Sequence, residues 1–176
     1  MRITTLLLTA LLTTNATAET RHAEAHVHGI NHVQIILNGS TLQVTYEFPV
    51  AQLNEHKHDE HKHDEHKRDE LTERLKEIKN IATLVAIPDS AKCSQSGIKH
   101  DLRAVSSTGS DDGHTNHQDA ILETVLECQN PSALNSVDFS PAFSRFEDVE
   151  KILVEGMLGG RSLSDTVTAK KAVMSF

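Results

Sequence analysis

Val33-Gln34-Ile35-Ile36-Leu37-Asn38-Gly39-Ser40-Thr41-Leu42-Gln43-Val44-Thr45-Tyr46-Glu47-Phe48 is the stretch whose reading decides the fold. A side-chain period of two puts Val33, Ile35 and Leu37 on one face of a strand, and Leu42, Val44, Tyr46 and Phe48 on one face of the next. Between them, Asn38-Gly39 tolerates the positive φ angles of a tight turn whose twist matches that of its strands. The stretch therefore predicts a β-hairpin with one apolar face. Pro49 ends its second strand, because proline cannot donate to a ladder.

Just beyond the hairpin, residues 55–69 repeat a five-residue unit: Glu55-His56-Lys57-His58-Asp59, Glu60-His61-Lys62-His63-Asp64, and the decayed copy Glu65-His66-Lys67-Arg68-Asp69. With no apolar residue, this run cannot bury a face, and it is expected to be a disordered His-rich insertion rather than core. After it, Leu71, Leu75, Ile78, Ala82 and Val85 fall at helical spacing with Glu73, Lys76 and Glu77 between them, and Pro88 closes the pattern. That predicts one amphipathic helix packed on the sheet. Residues 106–119, rich in Ser, Gly, Asp and His, read as a second polar loop. A strand is expected before it near Asp101 to Val105 and another after it from Ala120 to Cys128, with Leu122, Leu126 and Cys128 facing inward. The tail carries Phe139, Phe143 and Phe146, a strand at Val149 to Val154, and a final strand near Thr166 to Val173. The fold class that results is α+β, mainly β: an antiparallel sheet, one packed helix and a disordered insertion.

At the N-terminus, Arg2, the apolar Leu6 to Leu12 and the small residues Ala16-Thr17-Ala18 have the layout of an export signal. Residues 1–18 are expected to be removed by cleavage after Ala18, which leaves 19–176 as a single metal-binding domain with a periplasmic destination. The apolar stretch falls short of the roughly 20 residues that span a bilayer, and no later segment approaches that length, so no membrane insertion of the mature chain is expected. The net charge of -8 becomes -9 once Arg2 leaves with the signal. An acidic chain without Trp and with one Tyr lacks the basic patch and the stacking aromatics that nucleic acid requires. The two cysteines, Cys93 and Cys128, are expected to pair in an oxidising compartment. The alternative, two thiolate metal ligands, has no support from their spacing.

Twelve histidines are crowded into three tracts, with His100 standing alone. His22, His26, His28 and His32 lie near the mature N-terminus; His56, His58, His61, His63 and His66 lie in the repeat; His114 and His117 lie in the second loop. Neutral imidazole is the commonest metal-ligating side chain, and clusters of it with Asp and Glu favour zinc, nickel or copper over magnesium or calcium. The candidate metal ligands are therefore His26, His28, His32, His56, His58, His61, His63, His66, His114 and His117, with Asp119 beside the last two.

The signal, the His26-Val27-His28-Gly29 lead, the Asn-Gly hairpin, the His/Asp-rich insertion and the Cys-bounded segment carrying further His together resemble the ZrgA-type family of periplasmic zinc uptake proteins. The resemblance extends over most of the mature chain, with the lead and the insertion as its distinctive parts. It implies a zinc-binding component working beside an ABC importer and an outer-membrane receptor, on a mainly β fold with ordered metal sites apart from the His-rich tract. By position, His26 and His28 match the family's lead, and His56, His58, His61, His63 and His66 its insertion. Arg68 stands where the third copy would carry a second His.

Three rivals compete with zinc capture, one of them a structural or adhesion module whose histidines are passive and which would retain no metal. A nickel- or copper-binding resistance chaperone or periplasmic metal buffer would use the same histidines, although Met157 and Met174, the two methionines left after signal removal, are too few for a thioether Cu(I) site. A zinc hydrolase would need fixed ligands and an open coordination position, which a repeat tract does not supply, so the chain is not expected to be an enzyme.

Overall fold

The computed structural model describes residues 29–53, 64–105 and 117–176. Strands β1 (Ile30–Asn38) and β2 (Thr41–Pro49) form the expected hairpin, with Val33 opposite Tyr46 and Ile35 opposite Val44. The turn sits one residue later than the Asn-Gly pair suggests. Asn38 still pairs with Thr41, and Gly39 takes the positive φ of 61°. A single positive φ at the first central residue needs glycine there and leaves Asn38 free to stay in the ladder.

Four further strands extend this hairpin: β3 (Cys93–Val105), β4 (His117–Cys128), β6 (Lys151–Leu158) and β7 (Arg161–Val167). A small separate sheet pairs β5 (Ser136–Asp138) with β8 (Val173–Ser175). The large sheet has the order β3-β4-β2-β1-β6-β7. It is mixed rather than purely antiparallel, because β1 pairs with β6 in parallel. That pairing is close. A Cβ on Gly156 would stand 1.8 Å from the Ile35 carbonyl oxygen, so no side chain fits where β6 crosses the middle of β1.

One face of the sheet is the core wall. Val33, Ile35, Leu42, Val44, Tyr46, Phe48, Ala120, Leu122, Leu126, Ile152 and Val154 alternate inward and are buried. Phe48 lies 4.9 Å from Phe146 and 5.8 Å from Tyr46, centroid to centroid. With few aromatics available, this cluster fills the centre, and each such ring contributes about 1.5–3 kcal/mol by leaving water. Burial pushes the Tyr46 phenol above its usual range, partly offset by the hydrogen bond from Asn31 Nδ2 at 2.9 Å. Gln52 Nε2 donates to Asn31 Oδ1 at 2.8 Å, continuing the buried polar chain.

Helix α1 (Asp64–Lys76) packs Leu71 and Leu75 onto this wall. It differs from the expected helix at both ends. It begins within the repeat, so Asp64 to Asp69 are helical and the insertion as expected, 55–69, is too long at its C-terminal side. Glu, Lys and Arg are good helix formers and extend a helix whose apolar anchors lie further on. It ends at Lys76, because Asn80 adopts an extended conformation and its side chain accepts from the Ala82 amide. Gln95 reinforces the break, accepting from the Ile81 amide and donating to the Lys79 carbonyl. Ile78, Ile81, Leu84 and Val85 are still buried, while Ala82 is exposed. The short helix α2 (Ser140–Arg145) lies between Phe139 and Phe146 and closes the same side.

The polar loop is also shorter than 106–119, because His117, Gln118 and Asp119 already belong to β4. Asp119 pairs with Pro49 and with Arg103 and is 1% exposed, so long-range pairing overrides its loop-like composition. Strand β3 starts at Cys93 rather than Asp101, with a bulge between Gln95 and Gly97 that interrupts its alternation. In the tail, the expected strand at Val149 to Val154 runs from Lys151 to Leu158. The expected final strand is two, with the break after Val167.

Cys93 and Cys128 are directly opposed in the β3/β4 ladder, with Cα atoms 3.8 Å apart, and are bonded. On the chain-entropy relation, a closed loop of 35 residues is worth about 3–4 kcal/mol. Both thiolates are thereby withdrawn from metal chemistry. Intact mass of the protein taken from its native compartment, after alkylation without reductant, is expected to show no modified thiol; two alkylated cysteines would contradict the pairing.

Replacing residues 54–63 by a Gly/Ser linker of equal length is expected to leave the unfolding midpoint within about 2 °C, since no apolar residue is removed. Extending the replacement through Glu70 removes the first turns of α1 and is expected to lower it further. A large loss from the shorter replacement alone would make the tract structural.

Candidate functional site

Strand register decides where the histidine tracts meet the fold. Ile30 pairs with Lys151, Pro49 pairs with Asp119, and Val105 pairs with His117. The start of β1, the end of β2, the end of β3, the start of β4 and the start of β6 therefore share one end of the sheet. Residues 1–28 join the described fold at Gly29, residues 54–63 leave it after Leu53, and residues 106–116 lie between Val105 and His117. All three histidine tracts are tied to that one end. Arg74 of α1 donates to the Leu53 carbonyl at 3.0 Å, so the helix that follows the insertion is fastened at the point where the insertion leaves.

The same end carries a polar row on the outer face of the sheet. His32 on β1 stands opposite Glu47 on β2; Glu47 is paired in turn with Ile121 on β4, and Ile121 with Asp101 on β3. One step nearer the end, Asp119 lies between Pro49 and Arg103. His32 and Glu47 are half-buried, Asp101 and Arg103 exposed, and Ile121 and Asp119 buried although they face outward. His32, Glu47 and Asp119 each have an interaction partner. An imidazole with two carboxylates supplies donors for a borderline metal such as zinc. Among the described residues, however, no three His, Cys, Asp or Glu form a group able to hold a metal ion.

At the same end lies a cleft of about 530 Å³. Gly29, Pro49, Ala51 and Gln52 form one wall, and Glu147, Asp148, Val149 and Glu150 the other. Gly29 has a φ of 87° and is the acceptor of two backbone hydrogen bonds, from Glu150 at 2.8 Å and Lys151 at 3.2 Å. The glycine that closes the His-x-His-Gly lead is thus fixed to the acidic segment before β6.

Of the sequence-derived ligands, His26, His28, His56, His58, His61, His63 and His114 lie outside the described residues. His66 is placed in α1 and His117 at the start of β4, by backbone position only. His32 is on the outer face of β1 as described. His100 is accounted for by structure: its Nε2 lies 2.8 Å from the Ile78 carbonyl oxygen, joining β3 to the segment after α1. Glu47, Asp101, Arg103 and the Glu147–Glu150 segment were not among the candidates. Only Asp119 had a local signal, its closeness to His114 and His117. The others reach this end through strand pairing, Glu47 beside Ile121 of β4, Asp101 and Arg103 on the far side of β4, and the Glu147–Glu150 segment through the pairing of Ile30 with Lys151, which no short window displays.

No helix of the described residues is long and apolar enough to cross a membrane. A search of curated proteins gives no match to the chain. The profile of the ZrgA family zinc uptake proteins matches residues 25–176, from just before the His-x-His-Gly lead to the last residue. With that match spanning the sheet, the cleft and all but the first of the histidines, the chain belongs to the ZrgA family of zinc uptake proteins.

Proposed function

We propose that this chain is a periplasmic zinc-capture protein, with no enzymatic activity, that collects zinc at the histidine-bearing end of its sheet and supports its uptake through a transporter. The observation that carries this reading is the register: three tracts far apart in sequence are tied to one edge. Tethering several imidazoles near one place raises their effective concentration for a shared ion, so weak single contacts become multidentate. His32, Glu47 and Asp119 offer donors on a rigid sheet, and the lead and the second loop supply the imidazoles that complete a coordination shell. The repeat tract, fastened through Leu53 and Asp64, acts as an antenna that holds further ions for exchange.

The direction of transport follows from export. Residues 1–18 direct the chain out of the cytosol with cleavage after Ala18, and the Cys93–Cys128 bond suits an oxidising compartment. The partners of such a carrier are the components of an ABC importer in the inner membrane and a receptor in the outer one. Zinc is cargo here rather than a resident cofactor, so the bound shell must form readily and also release.

Protons compete with zinc for every imidazole. With an ordinary histidine pKa of about 6.5, affinity is expected to hold above roughly pH 7 and to decline below about pH 6, more steeply the more histidines share the ion. Zinc titrations at pH 7.5 and 5.5, with nickel as competitor, on the native chain and on a His26→Ala/His28→Ala variant, check this. Loss at pH 5.5, with weaker binding in the variant, is the expected result. Equal affinity at both pH values would remove histidine from the chemistry, and preference for nickel would reassign the ion.

A further inference from the structure

We propose that β7 is a self-association edge: two copies of this chain pair their β7 strands antiparallel about a two-fold axis at Leu163, which joins the two six-stranded sheets into one. The inference goes beyond zinc capture and does not depend on it.

The large sheet has two edges, β3 and β7. An edge invites pairing by another strand unless something blunts it. Strand β3 carries a bulge between Gln95 and Gly97 and the charged Lys99, Asp101 and Arg103. Strand β7, Arg161-Ser162-Leu163-Ser164-Asp165-Thr166-Val167, has no proline and pairs with β6 in unbroken register. Gly159 and Gly160, with φ of 55° and 81°, make the turn that joins β6 to β7. Such a turn is closed by hydrogen bonds between its flanking residues, here Leu158 and Arg161. Alternation along the ladder then gives the main-chain groups of Leu163 and Asp165 to β6 and turns those of Ser162, Ser164 and Thr166 outward. The Thr166 amide is taken by Asp165 Oδ1 at 2.8 Å. Ser162 and Ser164 are exposed, and among the described residues no strand pairs with them on that side.

The sequence of β7 is complementary to itself in one register. With Leu163 on the axis, Ser162 of each copy lies opposite Ser164 of the other, so the outward main-chain groups meet as hydrogen-bonded pairs. Arg161 of each copy then lies opposite Asp165 of the other in non-hydrogen-bonded pairs, where side chains stand closest. Asp165 also meets Lys171 Nζ at 3.3 Å within its own copy, and the roughly four lone-pair sites of a carboxylate leave room for a guanidinium as well. An axis at Ser164 would instead set Leu163 against Asp165 and Arg161 against Val167, and would call on the Thr166 amide that Asp165 already holds. The half-buried Leu163 has the bare Gly156 as its neighbour on β6, and the second Leu163 supplies an apolar contact on its other side. Because the same patch serves both copies, the pairing closes at a dimer. Antiparallel pairing also points the histidine-bearing ends of the two sheets in opposite directions, so neither occludes the other.

Sedimentation equilibrium of the mature chain, with its disulfide intact and metal removed by a chelator, tests this over protein concentrations from micromolar to millimolar. A reversible monomer–dimer equilibrium is expected. Ser164→Pro removes an outward N–H from both hydrogen-bonded pairs and spares the β6 ladder, so it is expected to abolish the dimer without changing zinc affinity. Arg161→Glu, at an exposed position, sets like charges opposite each other and is expected to weaken association at least about 10-fold; combining it with Asp165→Arg should restore the dimer. If Ser164→Pro does not fold, this charge exchange decides alone. For the register, Leu163→Cys is expected to give a reducible covalent dimer on mild oxidation, because non-hydrogen-bonded partners have Cα atoms about 4.5 Å apart, within disulfide reach, whereas Ser164→Cys should not. A monomer at every concentration, a dimer that forms only with zinc, or a dimer that Ser164→Pro and Arg161→Glu leave unchanged would overturn the proposal. Crosslinking through Ser164→Cys in place of Leu163→Cys would overturn the axis at Leu163.

Discussion

The register of β1 against its two neighbours is the constraint from which the remaining arrangement follows. Val33 opposite Tyr46 on one side and opposite Val154 on the other puts the apolar alternation of three strands on the same face. A slip of one residue would turn Ile35, Val44 and Ile152 out to water and bring Gln34, Thr45 and Leu153 inward. The parallel contact with β6 is held to its register by Gly156, the position where the Ile35 carbonyl leaves no room for a side chain. The same pairing that builds the core also sets which strand ends lie together. Burial of the wall and the shared end at which residues 1–28, 54–63 and 106–116 join the fold are thus two results of one hydrogen-bonded ladder.

Stability and ion chemistry are kept apart in this chain. Among the described residues, the wall of Val, Ile, Leu and Phe and the Cys93–Cys128 bond hold the fold, and no histidine is counted with the buried core. The disulfide closes the β3/β4 ladder at the end away from His117. A scaffold that does not need the ion to fold suits a carrier, because loading and release then leave the core intact. The exceptions on the outer face are Ile121 and Asp119, buried at the end where the tracts join.

The parts of the fold that local pattern determines were legible in the sequence. The hairpin follows from alternation around Gly39, the inward face of β4 from Leu122, Leu126 and Cys128, and the packed helix from Leu71 and Leu75. What was not legible depends on partners distant in the chain. The first half of β3, Cys-Ser-Gln-Ser-Gly, is polar because an edge strand buries little, and its bulge breaks the period. The helix ends early because Gln95, from another strand, supplies the hydrogen bonds that stabilise the extended residues around Asn80. Asp119 looks like loop sequence until Pro49 and Arg103 are placed beside it. For the candidate site, the sequence names each histidine singly, while the common end at which their tracts join the sheet and the backbone contact of Glu150 with Gly29 are properties of register alone.

Backbone amide shifts followed by NMR during addition of the first equivalent of zinc test the central claim most directly, because they locate binding on the sheet without presuming a ligand set. The shifts are expected to move at Gly29 to His32, Glu47 to Leu53, Arg103 to Val105, His117 to Asp119 and Glu150 to Lys151, all at the end that register brings together. Residues at the opposite end, Asn38 to Thr41, Cys93, Cys128 and Leu158 to Arg161, should stay in place. Changes centred on that opposite end, or confined to the repeat with none in the sheet, would contradict capture at a shared edge.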